Sequence, residues 1–359
     1  MKPTRSKLPS PSSAGRQTLG ATVRIGPLTH IPPVLRELGF APEAVLAGAG
    51  FDPAYFDDPD LPIPYVAASK LLAHCVASTR CEHFGLLVGA RGDPSILGLV
   101  GFLLMSAPDV GTALQDLLNY LDLHDSGGVA SLETRGGTSL LGFAVVEPDA
   151  QAIDQICDLS MAVGHNIMRT VCGPKWTPAE VLLPRKRPAD STPWTRVFRA
   201  PIRFEAGRSA LAFPSRWLAH PVPAANPPLH RHLEREAAGV RSKLRPGFVG
   251  EVRRTVSGTI ASGSCTSADI AQLLGMHQRT LNRRLLADGT TFKEIRDEVR
   301  YAMSRQLLGN TSMNLTEIAE ALGYAEASAF LRAFARWSGQ TPQRWRDARA
   351  LARRHEPPP

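Results

Sequence analysis

Between Leu28 and about Asp125, apolar residues return every three or four positions and predict a run of helices. "IPPVLRELGF" and "APEAVLAGAGFDPAYF" read as short helices interrupted by Gly and Pro, and "IPYVAASKLLAHCVAS" as a longer one. In "APDVGTALQDLLNYLDLH", Val110, Ala113, Leu114, Leu117, Leu118 and Leu121 fall at helical spacing, with Asp109 placed as the N-cap. The most apolar run, "ILGLVGFLLM" from Ile96 to Met105, is roughly half the length a membrane span needs, and predicts a buried helix.

After Asp125 the period changes to two. "VASLETR" and "SLLGFAVVE" flank Gly136 and Gly137, a hairpin signal. A long helix "AIDQICDLSMAVGHNIMRTV" follows, then a strand "AEVLLP", a short helix around "TPWTRVFRA", and a second hairpin formed by "IRFEAG" and "SALAFP". Helices lying on an antiparallel sheet predict an α+β domain. The proline-rich "HPVPAANPPLH" breaks the pattern, "RHLEREAAGVRSKL" restarts a helix, and everything beyond is helical.

The last hundred residues contain one pattern twice. "DIAQLLGMHQRTL" begins at Asp269 and "EIAEALGYAEASAF" at Glu317. Ile270, Ala271, Leu273 and Leu274 in one copy, and Ile318, Ala319 and Leu322 in the other, form an apolar helix face closed by Gly275 or Gly323. A second amphipathic helix follows each glycine, with Leu281 and Leu285 inward in the first and Phe330, Phe334 and Trp337 inward in the second. Arg279, Arg283 and Arg284, then Arg332 and Arg336, lie away from the apolar stripes. Helix, glycine turn and second helix make a helix-turn-helix, whose second helix enters the DNA major groove. A single copy reads equally well as an αα-hairpin of a bundle; two copies with arginine on both second helices favour a phosphate and base-edge surface. "FKEIRDEVRYAMSRQLL" between them predicts one amphipathic helix, on the order of 25 Å long. A rod of that length sets two recognition helices toward successive major grooves, about 34 Å apart on one face of B-DNA.

Charge sharpens this picture. Lys plus Arg against Asp plus Glu is 5 to 0 over residues 1–24, 20 to 22 over 25–250, and 16 to 11 over 251–359. The net charge of +8 therefore sits at the two ends, the distal one being where phosphate contact is expected. Five widely spaced cysteines without a CxxC pair predict reduced thiols and a cytoplasmic chain rather than a disulfide framework. "MKPTRSKLPSPSSAGRQ" is a basic, Ser/Pro-rich leader without the apolar run of a secretory signal.

The C-terminal region resembles the paired helix-turn-helix domain of AraC/XylS-type transcription regulators, through "RTLNRRLLADGTTFKEIRDEVR", "LTEIAEALGY", "SAFLRAFARWSGQTPQRWR" and the closing Gly339, Thr341, Pro342 and Arg344. The N-terminal region is similar to the arabinose-binding-type effector domain of one branch of that family, through "HFGLLVGARGDPSILGLVGF", "SAPDVGTALQDLLNYLDLH" and "PIRFEAGRSALAFPSRWL". The resemblance implies a basic tail (1–24), an α+β effector-sensing and dimerisation domain (25–235), a linker (236–248), an all-α DNA-binding domain with two helix-turn-helix units (249–347) and a C-terminal tail (348–359). It implies promoter DNA, RNA polymerase and a small-molecule effector as partners, a homodimer formed through the N-terminal domain, and an activator more than a repressor.

Carried onto this chain, the recognition helices run from about Gln278 to Leu286 and from about Glu326 to Trp337. The expected DNA contacts are His277, Gln278, Arg279, Thr280, Asn282 and Arg283 in the first, and Glu326, Ala327, Ser328 and Arg332 in the second. The second is rich in alanine where family members often carry larger polar residues, so it is expected to read fewer base edges.

Other constellations read as structural. His30, His74, His83, His124 and His165 lack metal-ligand spacing, and no metal or cofactor is expected. His230 and His232 are expected to be exposed in the linker, and Cys157 and His165 to share a core-facing side of one helix. Asp154 and Asp158 read as a solvated helix face, and Arg185 to Arg187 as a surface loop. No nucleophile elbow, zinc-hydrolase motif or nucleotide loop occurs. Two rivals remain: a metabolite-acting enzyme with a helical docking tail, and an architectural DNA binder without an effector.

Overall fold

The computed structural model describes residues 21–147, 149–244, 248–260 and 265–355. The N-terminal leader up to residue 20 lies outside them, as do residues 245–247 of the expected linker.

The first half is α+β, as the change of period predicted. β1 (Thr22–Arg24) precedes α1 (Ile31–Glu37) and α2 (Pro42–Gly48). β2 (Pro62–Pro64) pairs antiparallel with β1 in a small sheet that periodicity did not announce, because each strand is three residues long. α3 (Tyr65–Thr79), α4 (Phe84–Gly89), α5 (Leu99–Ser106) and α6 (Val110–Tyr120) follow. Asp109 caps α6, accepting the Thr112 N–H at 2.8 Å. The apolar run from Ile96 divides at Gly98 into a short 3₁₀ turn and α5, and Phe102 stays half exposed.

β3 (Gly128–Arg135) and β4 (Thr138–Val145) form the expected hairpin, and α7 (Ile153–Cys172) the expected long helix. After β5 (Glu180–Leu182), α8 (Thr192–Phe198), β6 (Ile202–Arg203) and β7 (Ser209–Pro214), the sheet order is β3-β4-β7-β5-β6. The second hairpin expected from "IRFEAG" and "SALAFP" does not form. β5 lies between these strands, antiparallel to β7 and parallel to β6. Val181, Leu182 and Leu183 are buried and require a neighbour on each side, whereas exposed Arg203 suits an edge.

Helix α7 organises the domain. Gly85 and Gly89 let α4 lie directly against it: a Cβ at Gly85 would stand 2.2 Å from the Gln155 carbonyl oxygen, and one at Gly89 2.3 Å from that of Leu159. The buried Gln155 accepts the Gly85 N–H at 2.9 Å and donates to the Glu82 carbonyl at 2.9 Å. Asp158, expected on a solvated face, is fully buried and paired with Arg185, expected in a surface loop and itself buried. Arg185 also donates to the Glu82 carbonyl and stacks 4.6 Å from the Trp194 ring, tying together α7, the start of α4 and α8. Sequence spacing made the two aspartates look like one wet stripe; Arg185 and Trp194 of α8 cover one of them. Cys157 and His165 are both core residues, His165 lying 5.7 Å from Phe198 and 5.8 Å from Trp176. Burial holds the His165 imidazole neutral, down to about 4.

α9 (Pro227–Leu244) begins inside the proline-rich break, since Pro is tolerated in a first helical turn. His230, expected exposed, is buried and bonded through Nε2 to Asp116 Oδ2 at 2.8 Å, fastening α9 to α6. His232 is exposed. Ala237 on α9 belongs to the first core, while Phe248 opens the second.

The second half is helical: α10 (Phe248–Ile260), α11 (Ser267–Leu273), α12 (Gln278–Ala287), α13 (Phe292–Asn310), α14 (Leu315–Ala321), α15 (Ala327–Ser338) and α16 (Pro342–His355). Each repeat has its own core. Ile270, Leu281 and Leu285 pack with Val252 and Val256 of α10 and Ile295 of α13; Ile318, Phe330 and Phe334 pack with Leu307 and Leu308 of α13.

Replacing Arg185 with Ala strands a buried carboxylate and should lower the unfolding free energy by about 3–5 kcal/mol in urea denaturation. Gly89→Ala forces α4 off α7 and should cost about 1–3 kcal/mol in the same measurement; an unchanged midpoint would mean that the helices separate freely.

Candidate nucleic-acid interface

Local chemistry sets the start of each helix in the repeats. Thr266 with Asp269, Thr291 with Glu294, and Asn314 with Glu317 form reciprocal capping boxes on α11, α13 and α14. Gly275 and Gly323 adopt φ of +62° and +69°, the left-handed turn that ends the first helix of each unit and admits the second. With Leu281 and Leu285 buried, the remaining faces of α12 are exposed.

The expected first-helix residues are brought together around the start of α12. His277 is its N-cap, the ring Nδ1 accepting the Arg279 N–H at 3.2 Å. Gln278 is exposed but donates from Nε2 to Ser267 Oγ at 2.6 Å, which ties it back to α11. Thr280 is half-buried. Arg279, Asn282 and Arg283, at i, i+3 and i+4, are exposed on one helical stripe and have no hydrogen-bond or ion-pair partner among the described residues. A free guanidinium in that position can fork onto a base edge or a phosphate. Leu286, one further turn along this stripe, is 70% exposed.

The second unit is barer. Glu326 is the N-cap residue of α15, and its carboxylate accepts the Ser328 hydroxyl at 3.1 Å, so these two side chains are engaged with each other. Ala327 is half-buried. Arg332 is exposed without a partner among the described residues, next to Leu331, also exposed. Two arginines on these helices serve the fold instead. Arg284 stacks on Phe248 of α10 with its guanidinium 3.8 Å from the ring, and Arg336 pairs with Asp297 of α13 at 2.9 Å.

α13 spans nineteen residues, about 28 Å, and carries both units. Arg300 on it donates to the Gly323 carbonyl at 3.0 Å and lies 4.3 Å from the Tyr324 ring, fixing the turn of the second unit. Arg346 of α16 donates to the Leu308 and Met313 carbonyls at 3.3 and 2.6 Å, closing the far end.

Among the described residues, polar contacts of α10 and α13 join this assembly to the α+β domain, beside packing of α10 on β3 and of α13 on α7. Asp122, its carboxylate almost buried, receives Arg254 of α10 at 3.2 Å and Arg241 of α9 at 3.5 Å. Gln306 of α13 donates to the Val145 carbonyl, the last residue of β4, at 2.5 Å. Inside the α+β domain a cavity of about 110 Å³ lies between α3, α7 and the β3-β4 hairpin, with Arg24, Tyr65, His124 and Asp125 as its main polar members. Among the described residues, no group of three or more His, Cys, Asp or Glu side chains converges as a metal site would require, and no helix is long and apolar enough to cross a membrane.

Comparison with known proteins agrees with this geometry. Residues 39–222 match the arabinose-binding domain of AraC transcription regulators, and residues 270–348 match a helix-turn-helix domain. The chain is 26% identical over 339 residues to the ornithine utilization regulator of Pseudomonas aeruginosa, covering 93% of this chain and 99% of that one. It is 27% identical over 335 residues to the HTH-type transcriptional regulator VirS of Mycobacterium tuberculosis, covering 91% and 97%. A further relative, the regulator VqsM of Pseudomonas aeruginosa, is 25% identical over 310 residues, covering 82% and 94%. An arabinose-binding-type domain over half the chain, joined to a double helix-turn-helix that presents unpaired arginines, makes this protein a member of the AraC family of DNA-binding transcription regulators.

Proposed function

We propose that this regulator reads its operator chiefly through α12, and that a small molecule held in the α+β domain governs the reading. The observation that carries the first part is the stripe of Arg279, Asn282 and Arg283, exposed and uncommitted beside a capped helix start. His277, Gln278 and Thr280 frame that stripe. Glu326, Ala327 and Ser328 of α15 contribute position more than hydrogen-bonded readout, because two of them bond each other and one ends at a methyl group. Arg332 contacts a phosphate there, and Leu286 and Leu331 meet thymine methyls.

The effector reading is supported by the family of the N-terminal domain and by its apolar-walled cavity. A homodimer through that domain is favoured by the same kinship and by Phe102 and Leu229, exposed on α5 and α9, which pack together. Recruitment of RNA polymerase, and activation as the outcome, follow the habit of the family. The domain limits expected from the sequence, 25–235 and 249–347, form part of this proposal.

With the operator selected by the full chain from random-sequence duplexes, Arg279→Ala or Arg283→Ala should weaken binding by about 1–3 kcal/mol and relax preference at one position. Arg332→Ala should weaken selected and unrelated duplexes alike. Gel-shift titration reads both, and a discrimination loss larger for Arg332 than for Arg283 would reverse the order of the two helices. Duplex affinity should also fall steeply and log-linearly with salt; a flat salt profile would exclude phosphate contact and favour a docking bundle.

A further inference from the structure

The cavity that supports the effector reading has a definite chemistry. Its walls are apolar: Leu72 of α3, Leu141 and Phe143 of β4, and Met161 and Ile167 of α7 are representative. Its interior of about 110 Å³ compares with the roughly 150 Å³ apolar cavity that admits benzene. Besides Ser69 of α3 and Ser160 of α7, its polar lining is Arg24 of β1, Tyr65 at the start of α3, and His124 and Asp125 of the segment that follows α6. Tyr65 lies with its ring against Gly127, where a Cβ would come within 2.3 Å of it, and its buried hydroxyl has no hydrogen-bond partner among the described residues. Asp125, also buried, accepts the Gly127 and Gly128 N–H groups at 2.8 Å through Oδ1, leaving Oδ2 without a donor among the described residues. His124 has an unpartnered buried Nδ1, and burial keeps its ring neutral, down to about 3. The cation at the site, Arg24, is committed to Asp60 at 2.6 Å and to the Leu123 carbonyl at 3.1 Å.

These features disfavour two ligand classes. An anion would enter an apolar space with no uncommitted cation and a carboxyl group beside it. A pentose would bury several hydroxyls against alkyl and aromatic walls, at about 1–3 kcal/mol for each one left unpaired. The position of the segment is as telling as its chemistry. Leu121, His124 and Asp125 line the cavity, and Asp122 between them holds Arg241 of α9 and Arg254 of α10.

Resting on the effector reading above, we propose that the cavity binds an uncharged, single-ring-sized, mostly apolar molecule whose one hydroxyl accepts from Tyr65 and donates to Asp125 Oδ2, and that its binding reaches the DNA-binding helices through Asp122. The sugar suggested by the description of the domain family is not the ligand of this chain. A molecule wedged beside Tyr65 and Asp125 displaces the 121–125 segment, and with it the carboxylate on which the two arginines close.

Isothermal titration of the full-length chain with phenol, toluene and L-arabinose tests the ligand. Phenol should bind at one site, toluene more weakly, and arabinose should neither bind nor compete. Tyr65→Phe removes a hydroxyl with no hydrogen-bond partner among the described residues, so the core should persist. It should weaken phenol about fivefold while leaving toluene unchanged. Phenol binding that ignores Tyr65→Phe, no binding by phenol, or arabinose occupying the cavity would each overturn the ligand class. In anisotropy titrations on the selected operator, phenol should shift duplex affinity about fivefold or more. Asp122→Asn should abolish that shift while retaining phenol binding, and a shift that survives the substitution would overturn the route. A reporter driven by the same operator and scanned across growth substrates tests effector response separately, so failure of the ligand class and failure of the effector reading are distinguishable.

Discussion

Thirteen of the twenty positions of α7 are buried, and the α+β domain is arranged around that constraint. A helix buried on most sides must satisfy its polar side chains inside the protein, because an unpaired charge or amide there costs several kcal/mol. Asp158 meets this through Arg185, and Gln155 through the backbone at the start of α4. Both partners converge on the Glu82 carbonyl, so the polar groups of α7 also decide where α4 and α8 lie. The side of α7 turned toward α3 and the hairpin is the side that leaves a cavity.

The two reading units show the same economy in another form. Neither α11-α12 nor α14-α15 buries enough apolar surface to stand by itself, and each borrows a wall of α13. α10 completes the first unit, with Phe248 beneath Arg284, and α10 also carries Arg254 to Asp122. The helix that completes the core of the first reading unit is thus the one held by the segment lining the cavity. Gln306 gives α13 a second anchor, on the end of β4. In this regulator the helix-turn-helix units rest on elements clamped directly by the α+β domain.

The helical period, the glycine turns and the capping boxes of the last hundred residues are local properties, set by side-chain spacing and backbone preference within a few residues. For that reason the recognition helices were legible almost to the residue: Gln278–Ala287 and Ala327–Ser338 against the expected Gln278–Leu286 and Glu326–Trp337. The β3-β4 hairpin was legible on the same ground. The expected contact residues are gathered at the starts of the two helices, but their freedom was not readable from spacing. Gln278 is tied to Ser267, and Glu326 to Ser328.

What the sequence determined by itself was therefore the kind of protein: an α+β domain, a basic helical domain, two helix-turn-helix units and the family they mark. Tertiary structure alone decided which strand stands beside which, that Asp158 and Arg185 meet across 27 positions, that His230 is a buried anchor rather than a linker residue, and that Asp122 joins the two domains. The physical reason is range. Periodicity and capping act within one or two turns of chain, whereas pairing a buried charge and dividing a sheet depend on surfaces that approach only when the chain has folded.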